Sequence, residues 1–325
     1  MRATMNATLR PCPQIALPWL AGLLAGRSVA DAPAPQWQLI EVGSGDESLF
    51  RQAHIPGATW LDITRLEQAP LWNKVPDAQL LHVLLEHGLC STSSVILYSR
   101  TMTAAARVGH LLLYAGVKDV RLLDGNLASW RTAGLPLTAG PSRRHVPVAT
   151  FGSPFPAHPD YLIDTYQAKA LMTQADGTLA SIRSHAEFIG ATSGYSYIPV
   201  CGEIPGACWG RAGVSGDINS MSDFQHPDGR MKSPAAISAF WSENGIVPTR
   251  QTAFYCGTGW RASLAFFYAR AMGWPRISVY DGGWFEWSSD PVNPRVSMLQ
   301  SSAESTVRTP PRSAALLHES AHTTA

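Results

Sequence analysis

The run Thr252-Ala253-Phe254-Tyr255-Cys256-Gly257-Thr258-Gly259-Trp260-Arg261-Ala262-Ser263 decides how the chain is read. Its first four residues form an apolar strand, the glycines shape a short loop, and residues 263–272 have the character of a helix. Such a loop lets backbone N–H groups turn inward, and the helix behind it adds the positive end of its dipole. Cys256 stands at the bottom of the resulting cup, where amides, helix end and the cationic Arg261 all favour a negative sulfur. The stretch therefore joins a candidate nucleophile, Cys256, to an anion cradle made of Gly257, Thr258, Gly259, Trp260 and Arg261. A buried structural thiol is the plainer alternative. It would need neither the Gly-Thr-Gly turn nor the Trp-Arg pair.

Working outward, the same pattern occurs twice. A displacement of 157 positions carries Glu86 to Glu243, Gly88 to Gly245, Tyr98 to Tyr255, Thr101 to Thr258, Ala105 to Ala262, Gly116 to Gly273, Asp124-Gly125 to Asp281-Gly282 and Trp130 to Trp287 without a gap. Ile55-Pro56-Gly57-Ala58 recurs as Ile204-Pro205-Gly206-Ala207 at a displacement of 149, so the second copy holds eight extra residues before its nucleophile loop. The polar stretch 211–231, with its Asp228-Gly229 turn, is the expected place for them. Strand-like runs at residues 37–42, 95–98 and 120–123 alternate with helical ones at 77–87, opened by Pro76 and stopped by Gly88, and at 104–115, stopped by Gly116. That alternation predicts an α/β fold of two domains, each a parallel sheet flanked by helices on both faces.

Domain one is expected at residues 17–140 and domain two at 159–294, joined by the proline-rich linker 141–159. The Ser/Thr/Ala/Pro-rich residues 295–325 are expected to be a disordered tail. In register, Ser99 stands where Cys256 does and Ala104 where Arg261 does, and Arg100-Thr101-Met102-Thr103 lacks the glycines. A serine hydroxyl is not made anionic by a loop and a helix end alone. Domain one is thus expected to be non-catalytic, a structural body or a wall of the substrate site.

With 325 residues, of which 45% are hydrophobic, the chain is long enough for two cores of ordinary size. A net charge of +1 with scattered arginines offers no footprint for nucleic acid. No run reaches the roughly 18 to 20 apolar residues needed to span a bilayer, so no membrane partner is expected. The five cysteines, Cys12, Cys90, Cys201, Cys208 and Cys256, are odd in number and lack a Cys-x-x-Cys pair, which predicts reduced thiols. Neither His82 with His87 nor His318 with His322 makes a persuasive ligand pair, and no metal is expected. At the N-terminus, Arg2, Arg10, the apolar residues 15–26 and Ser28-Val29-Ala30 resemble an export signal, which would make the protein periplasmic. Pro13, Pro18 and Arg27, with Trp19-Leu20 and Leu23-Leu24 at helical spacing, favour instead a first amphipathic helix and a cytoplasmic protein.

The doubled Ile-Pro-Gly-Ala turn, the doubled Asp-Gly with a tryptophan six residues after the Asp, and the loop from Cys256 to Arg261 make residues 17–294 resemble tandem-domain rhodaneses. These are thiosulfate and mercaptopyruvate sulfurtransferases. The loop, with Tyr280-Asp281-Gly282-Gly283-Trp284 and Glu286-Trp287 downstream, is most similar to that of multidomain bacterial thiosulfate sulfurtransferases. The resemblance implies double displacement. Cys256 would take the outer sulfur of thiosulfate or a related donor, hold it as a persulfide, and pass it to cyanide or a thiol without metal or organic cofactor. Residues 257–261 would cradle the donor. Ser181-Ile182-Arg183 stands where the family often has Asp-x-Arg, so Arg183 is either a donor ligand or the ion-pair partner of Glu187 or a neighbour. Mercaptopyruvate enzymes end this loop in Val-Thr, whereas Trp260-Arg261 tilts the reading towards thiosulfate. Two other classes stay open. A phosphatase or arsenate reductase on this fold needs five residues between Cys and Arg, where this chain has four. A non-catalytic binding or sulfur-carrier module suits domain one better than domain two.

Overall fold

The computed structural model describes residues 14–299. Domain one runs β1 (Gln14–Ile15), α1 (Leu17–Leu24), β2 (Gln38–Gly43), α2 (Ser48–Gln52), β3 (Thr59–Asp62), a hairpin of β4 (Glu67–Gln68) and β5 (Asn73–Lys74), α3 (Asp77–Glu86), β6 (Ser94–Ser99), α4 (Met102–Ala115), β7 (Asp119–Leu123) and α5 (Leu127–Thr132). Domain two runs β8 (Leu162–Ile163), α6 (Thr165–Met172), β9 (Gly177–Ser181), α7 (His185–Phe188), β10 (Cys208–Trp209), α8 (Pro234–Glu243), β11 (Gln251–Tyr255), α9 (Trp260–Ala271), β12 (Ile277–Tyr280) and α10 (Gly283–Ser289). The two five-stranded sheets are ordered β1-β7-β6-β2-β3 and β8-β12-β11-β9-β10, every pairing parallel. The orders match strand for strand, so the repeat in the sequence is a repeat of topology. Helices on both faces bury every residue of the central strand β6, which is why residues 95–98 are apolar without alternation.

Several boundaries move. The first sheet begins before residue 17, since Gln14 pairs with Leu122, and α1 buries Leu17 and Leu20 in the same domain. Arg2 and Arg10 lie outside the described residues. The linker is laid along domain one: Arg143 donates to the Gly57 carbonyl at 2.8 Å and the Val148 N–H to the Leu85 carbonyl at 3.0 Å. The expected tail starts too early, because Val296 and Glu203 exchange backbone bonds of 3.0 and 2.9 Å and the Met298 N–H reaches the Ile189 carbonyl at 3.1 Å. Its remainder, from residue 300, lies outside the described residues.

The place of the eight extra residues narrows to the first part of the expected stretch. Gln225, 157 positions after Gln68, bridges to Met231, and the Met231 N–H meets Asp124 as the Lys74 N–H meets Asp281, so the displacement of 157 already holds there and both copies turn at the place of Asp228-Gly229. β3 and β10 correspond at 149, which confines the insertion to the segment between Trp209 and Phe224.

The domains meet through α4 and α9. Every residue of α4 is buried, as are those from Arg261 to Ala269 in α9. A helix without a polar face has no solvent side to present. Gly109 lets the two approach, since a Cβ there would lie 2.8 Å from Phe267 Cζ. As α9 begins directly after the candidate nucleophile loop, this packing brings the loop to the domain interface. Among the described residues, Cys90, Cys201, Cys208 and Cys256 are free thiols, and no helix is long and apolar enough to cross a membrane.

Candidate active site

β11 delivers Cys256 at the C-terminal edge of its sheet, the usual place for a site in a parallel α/β fold. Cys256 is 1% exposed, and the Gly259 N–H donates to its Sγ at 3.2 Å. Gly259 has φ +94°, a conformation costly for any residue with a Cβ, and that turn aims its amide at the sulfur. The first amides of α9 have no acceptor within the helix, so they add positive potential on the same side. Gly257 meets a need for space: a Cβ there would lie 2.3 Å from Tyr195 Cζ. Its N–H donates to Tyr195 Oη at 3.2 Å, so one glycine amide serves the sulfur and the other braces the loop. From behind, the Trp284 and Phe285 N–H groups donate to the carbonyls of Cys256 and Gly257 at 2.7 and 3.1 Å. This contact accounts for the Asp-Gly-Gly-Trp stretch, as a Cβ on Gly283 would lie 2.6 Å from both carbonyl oxygens.

Thr258 is buried, and Tyr197 beside the cup is 41% exposed. The rings of Tyr195 and Phe285 lie 5.5 and 5.7 Å from that of Tyr197, forming an aromatic wall.

Arg261, expected to meet the donor, is instead 1% exposed. Its Nη1 and Nη2 donate to Glu187 Oε2 and Oε1 at 2.9 and 2.8 Å, and Nη2 also to Tyr195 Oη at 2.8 Å. The guanidinium thereby clamps α7 and Tyr195 to the start of α9. Burial alone would raise the Glu187 carboxyl, but the hydrogen bonds and charge of Arg261, helped by the charge of Arg183, outweigh it and hold it at about 2. Arg183 is buried as well. Its Nη1 donates to the Gly202 carbonyl at 2.7 Å and to Glu203 at 3.2 Å, its Nε lies 3.6 Å from Glu187, and its guanidinium stacks 5.0 Å over Trp284.

Domain one contributes residues that the sequence reading missed. Trp260 Nε1 donates to both carboxylate oxygens of Glu67, at 3.0 and 2.9 Å across 193 positions of chain. Arg107 donates from Nε to Glu67 at 2.8 Å and from Nη2 to Asp281. One signal was available: an arginine inside the apolar run of residues 104–115 requires a buried carboxylate partner. Tyr195 carried no such mark. In the counterpart loop, the Ser99 hydroxyl donates to the Thr101 carbonyl and accepts from the Ala105 N–H at 3.3 Å. A cavity of about 1260 Å³ lies over that loop, lined by Arg100, Thr101, Met102, Thr103 and Asn219, and not over Cys256.

Comparison with known proteins places this geometry among relatives. The rhodanese-like domain family matches residues 28–133 and 164–290. Over 276 residues the chain is 52% identical to thiosulfate sulfurtransferase YnjE of Escherichia coli, covering 85% of this chain and 63% of that protein. The chain thus spans less than two thirds of that relative's length. It is 34% identical to a probable 3-mercaptopyruvate sulfurtransferase of Pseudomonas aeruginosa, covering 76% of this chain and 85% of that one. Among solved structures, that of YnjE is similar with a TM-score of 0.85 at 49% identity, covering 89% of this chain and 69% of that one. A structure of EanB carrying a cysteine persulfide, in a tetrahedral intermediate state with ergothioneine, is similar with a TM-score of 0.84 at 35% identity, covering 89% and 71%.

Proposed function

Because the chain belongs to the rhodanese-like family, we propose that it is a thiosulfate sulfurtransferase working through a persulfide on Cys256. The observation that carries this reading is the Gly259 N–H, 3.2 Å from Cys256 Sγ in a glycine-shaped loop at a helix start. An amide that meets a thiolate also meets the charge of a persulfide. In the first step the Cys256 thiolate attacks the outer sulfur of thiosulfate. The S–S bond of the donor breaks and its electron pair leaves on sulfite. In the second, cyanide or a thiolate attacks the outer sulfur of the persulfide, that S–S bond breaks towards Cys256, and the thiolate returns. A neutral thiol acceptor gives its proton to solvent. The electrons balance within each displacement, so no external oxidant or reductant takes part.

With Arg261 and Arg183 both occupied by buried carboxylates, the donor's charge is met by the amides at the start of α9. That pairing also favours a second reading, in which the donor is less charged than thiosulfate, such as 3-mercaptopyruvate or a protein-borne persulfide. Intact mass after incubation with thiosulfate tests the first: one sulfur should be gained and then lost on adding cyanide. Comparing kcat/KM for thiosulfate and 3-mercaptopyruvate separates the two. Absence of sulfur gain with every donor would end both.

A further inference from the structure

The two copies grip one another at both ends of their interface, and the ends differ. The Lys74 N–H donates to Asp281 at 2.9 Å at one end, the Met231 N–H to Asp124 at 2.8 Å at the other, and the displacement of 157 relates both partners. At the non-catalytic end, the positions corresponding to Glu67 and Arg107 are Phe224 and Leu264, both fully buried. Docking of the domains therefore does not require charge at these positions. At the catalytic end the fold buries a carboxylate and a guanidinium, 6% and 0% exposed. A buried ion pair is seldom more stabilising than a well-packed apolar pair. What it adds here is contact with the nucleophile loop. Glu67 accepts from Trp260, the residue after Gly259, and Arg107 lies against Gly259 itself, where a Cβ would sit 3.1 Å from Nη1. Among the described residues that Nη1 has no hydrogen-bond partner, so its placement serves the loop's shape.

We propose that Glu67, held by Arg107, is a positioning residue for sulfur transfer: it fixes Trp260 and, through it, the turn whose Gly259 amide meets Cys256. The inactive copy thereby supplies part of the active copy's geometry. The activity arms of the test rest on Cys256 being the nucleophile proposed above.

Burial pushes the Glu67 carboxyl up to about 7, with Arg107 and Trp260 opposing only in part. The groups facing it are Arg107 from α4, Asp281 after β12, Lys74 across the hairpin and the Tyr197 hydroxyl. Protonation turns one of the two oxygens that share the Trp260 N–H into a hydroxyl, a weaker acceptor, so the hold on the loop loosens as pH falls through neutrality.

Glu67→Gln mimics the protonated form and leaves Arg107 paired with Asp281. At about pH 8 its kcat should be roughly three- to tenfold below wild type, the effect of one hydrogen bond, with KM changed less than about twofold. At about pH 6 the ratio should approach one, because wild type is then protonated too. The ratio cancels any titration of Cys256 that both proteins share. Trp260→Phe, which keeps the ring and lacks the N–H, should lose a similar factor, and adding Glu67→Gln to it should cost nothing more. Alkylation of Cys256 by iodoacetamide should show the same pH-dependent ratio whatever the sulfur donor. A ratio that does not change with pH, or fully additive losses in the double variant, would overturn the proposal. Alkylation ratios as expected without any sulfur loading would leave it standing and sink the sulfurtransferase reading.

Discussion

Replacing Arg261 by methionine separates two roles a cation in this loop could have, holding the donor or holding the fold. The structure assigns the charge to Glu187, and two routes give the magnitude. A carboxyl held at about 2 rather than its ordinary 4.5 means that the fold favours its charged form by about 3 kcal/mol. Removing one member of a buried ion pair costs about 3 to 5 kcal/mol, since the other is left unpaired. The Ser184 N–H at 2.9 Å and Arg183 at 3.6 Å remain on Glu187, so the lower end, about 3 kcal/mol, is expected. At roughly 2 to 4 °C per kcal/mol, the unfolding midpoint near pH 7 should fall by about 6 to 12 °C. The pH dependence follows from the depressed value of Glu187. Its contribution is complete above about 4.5 and is lost as pH falls towards about 2. In the variant the carboxyl moves back up, so the gap between the two proteins should narrow over that interval. Circular-dichroism melts at several pH values measure this, with kcat/KM for thiosulfate taken well below both midpoints. A variant that melts within about 1 kcal/mol of wild type yet loses more than tenfold in kcat/KM would refute the argument and return Arg261 to the donor.

Cys256→Ser should abolish sulfur loading by intact mass while leaving the melt unchanged, since the hydroxyl nearly matches the thiol in size but is no thiolate. Ser99→Cys should not raise loading above one sulfur per chain, because its loop lacks the glycines and its Oγ is already held by Thr101 and Ala105. Gly257→Ala must displace the Tyr195 ring, which a Cβ would approach to 2.3 Å. A loss of about 1 to 3 kcal/mol in stability and slower persulfide formation are expected, and loading at the wild-type rate would show that Tyr195 does not set the loop.

The topology was legible because duplication and helix punctuation are local. Gly116 caps α4 with φ +109° where the sequence placed the stop, and the aligned Asp-Gly pairs follow the corresponding strands β7 and β12. The boundaries were not, for a physical reason. Composition at residues 295–299 is that of a tail, but two backbone bonds between Val296 and Glu203 hold the segment, and backbone pairing leaves no mark in side-chain type. The insertion was drawn too wide on similar grounds. A polar Asp-Gly turn reads as surplus loop whether or not the other copy also turns there, and only the bridge from Gln225 to Met231 tells the two cases apart.

The site divides along the same line. Cys256, Gly257 and Gly259 announce themselves because a candidate nucleophile, a close approach and a positive φ each demand a residue type at one position. Arg261 also announces itself, but its residue type states only that a cation is present. The partner decides what the cation does, and Glu187 lies 74 positions away. Glu67 and Arg107 are harder still, since neither is near the loop in sequence and the displacement of 157 maps them onto Phe224 and Leu264. Comparing the two copies position by position in the folded chain turns that mismatch into a signal. Where a duplicated interface keeps apolar residues at one end and buries a costly ion pair at the other, the charge points to a requirement of the end that carries the candidate nucleophile, which is the ground of the proposed role for Glu67.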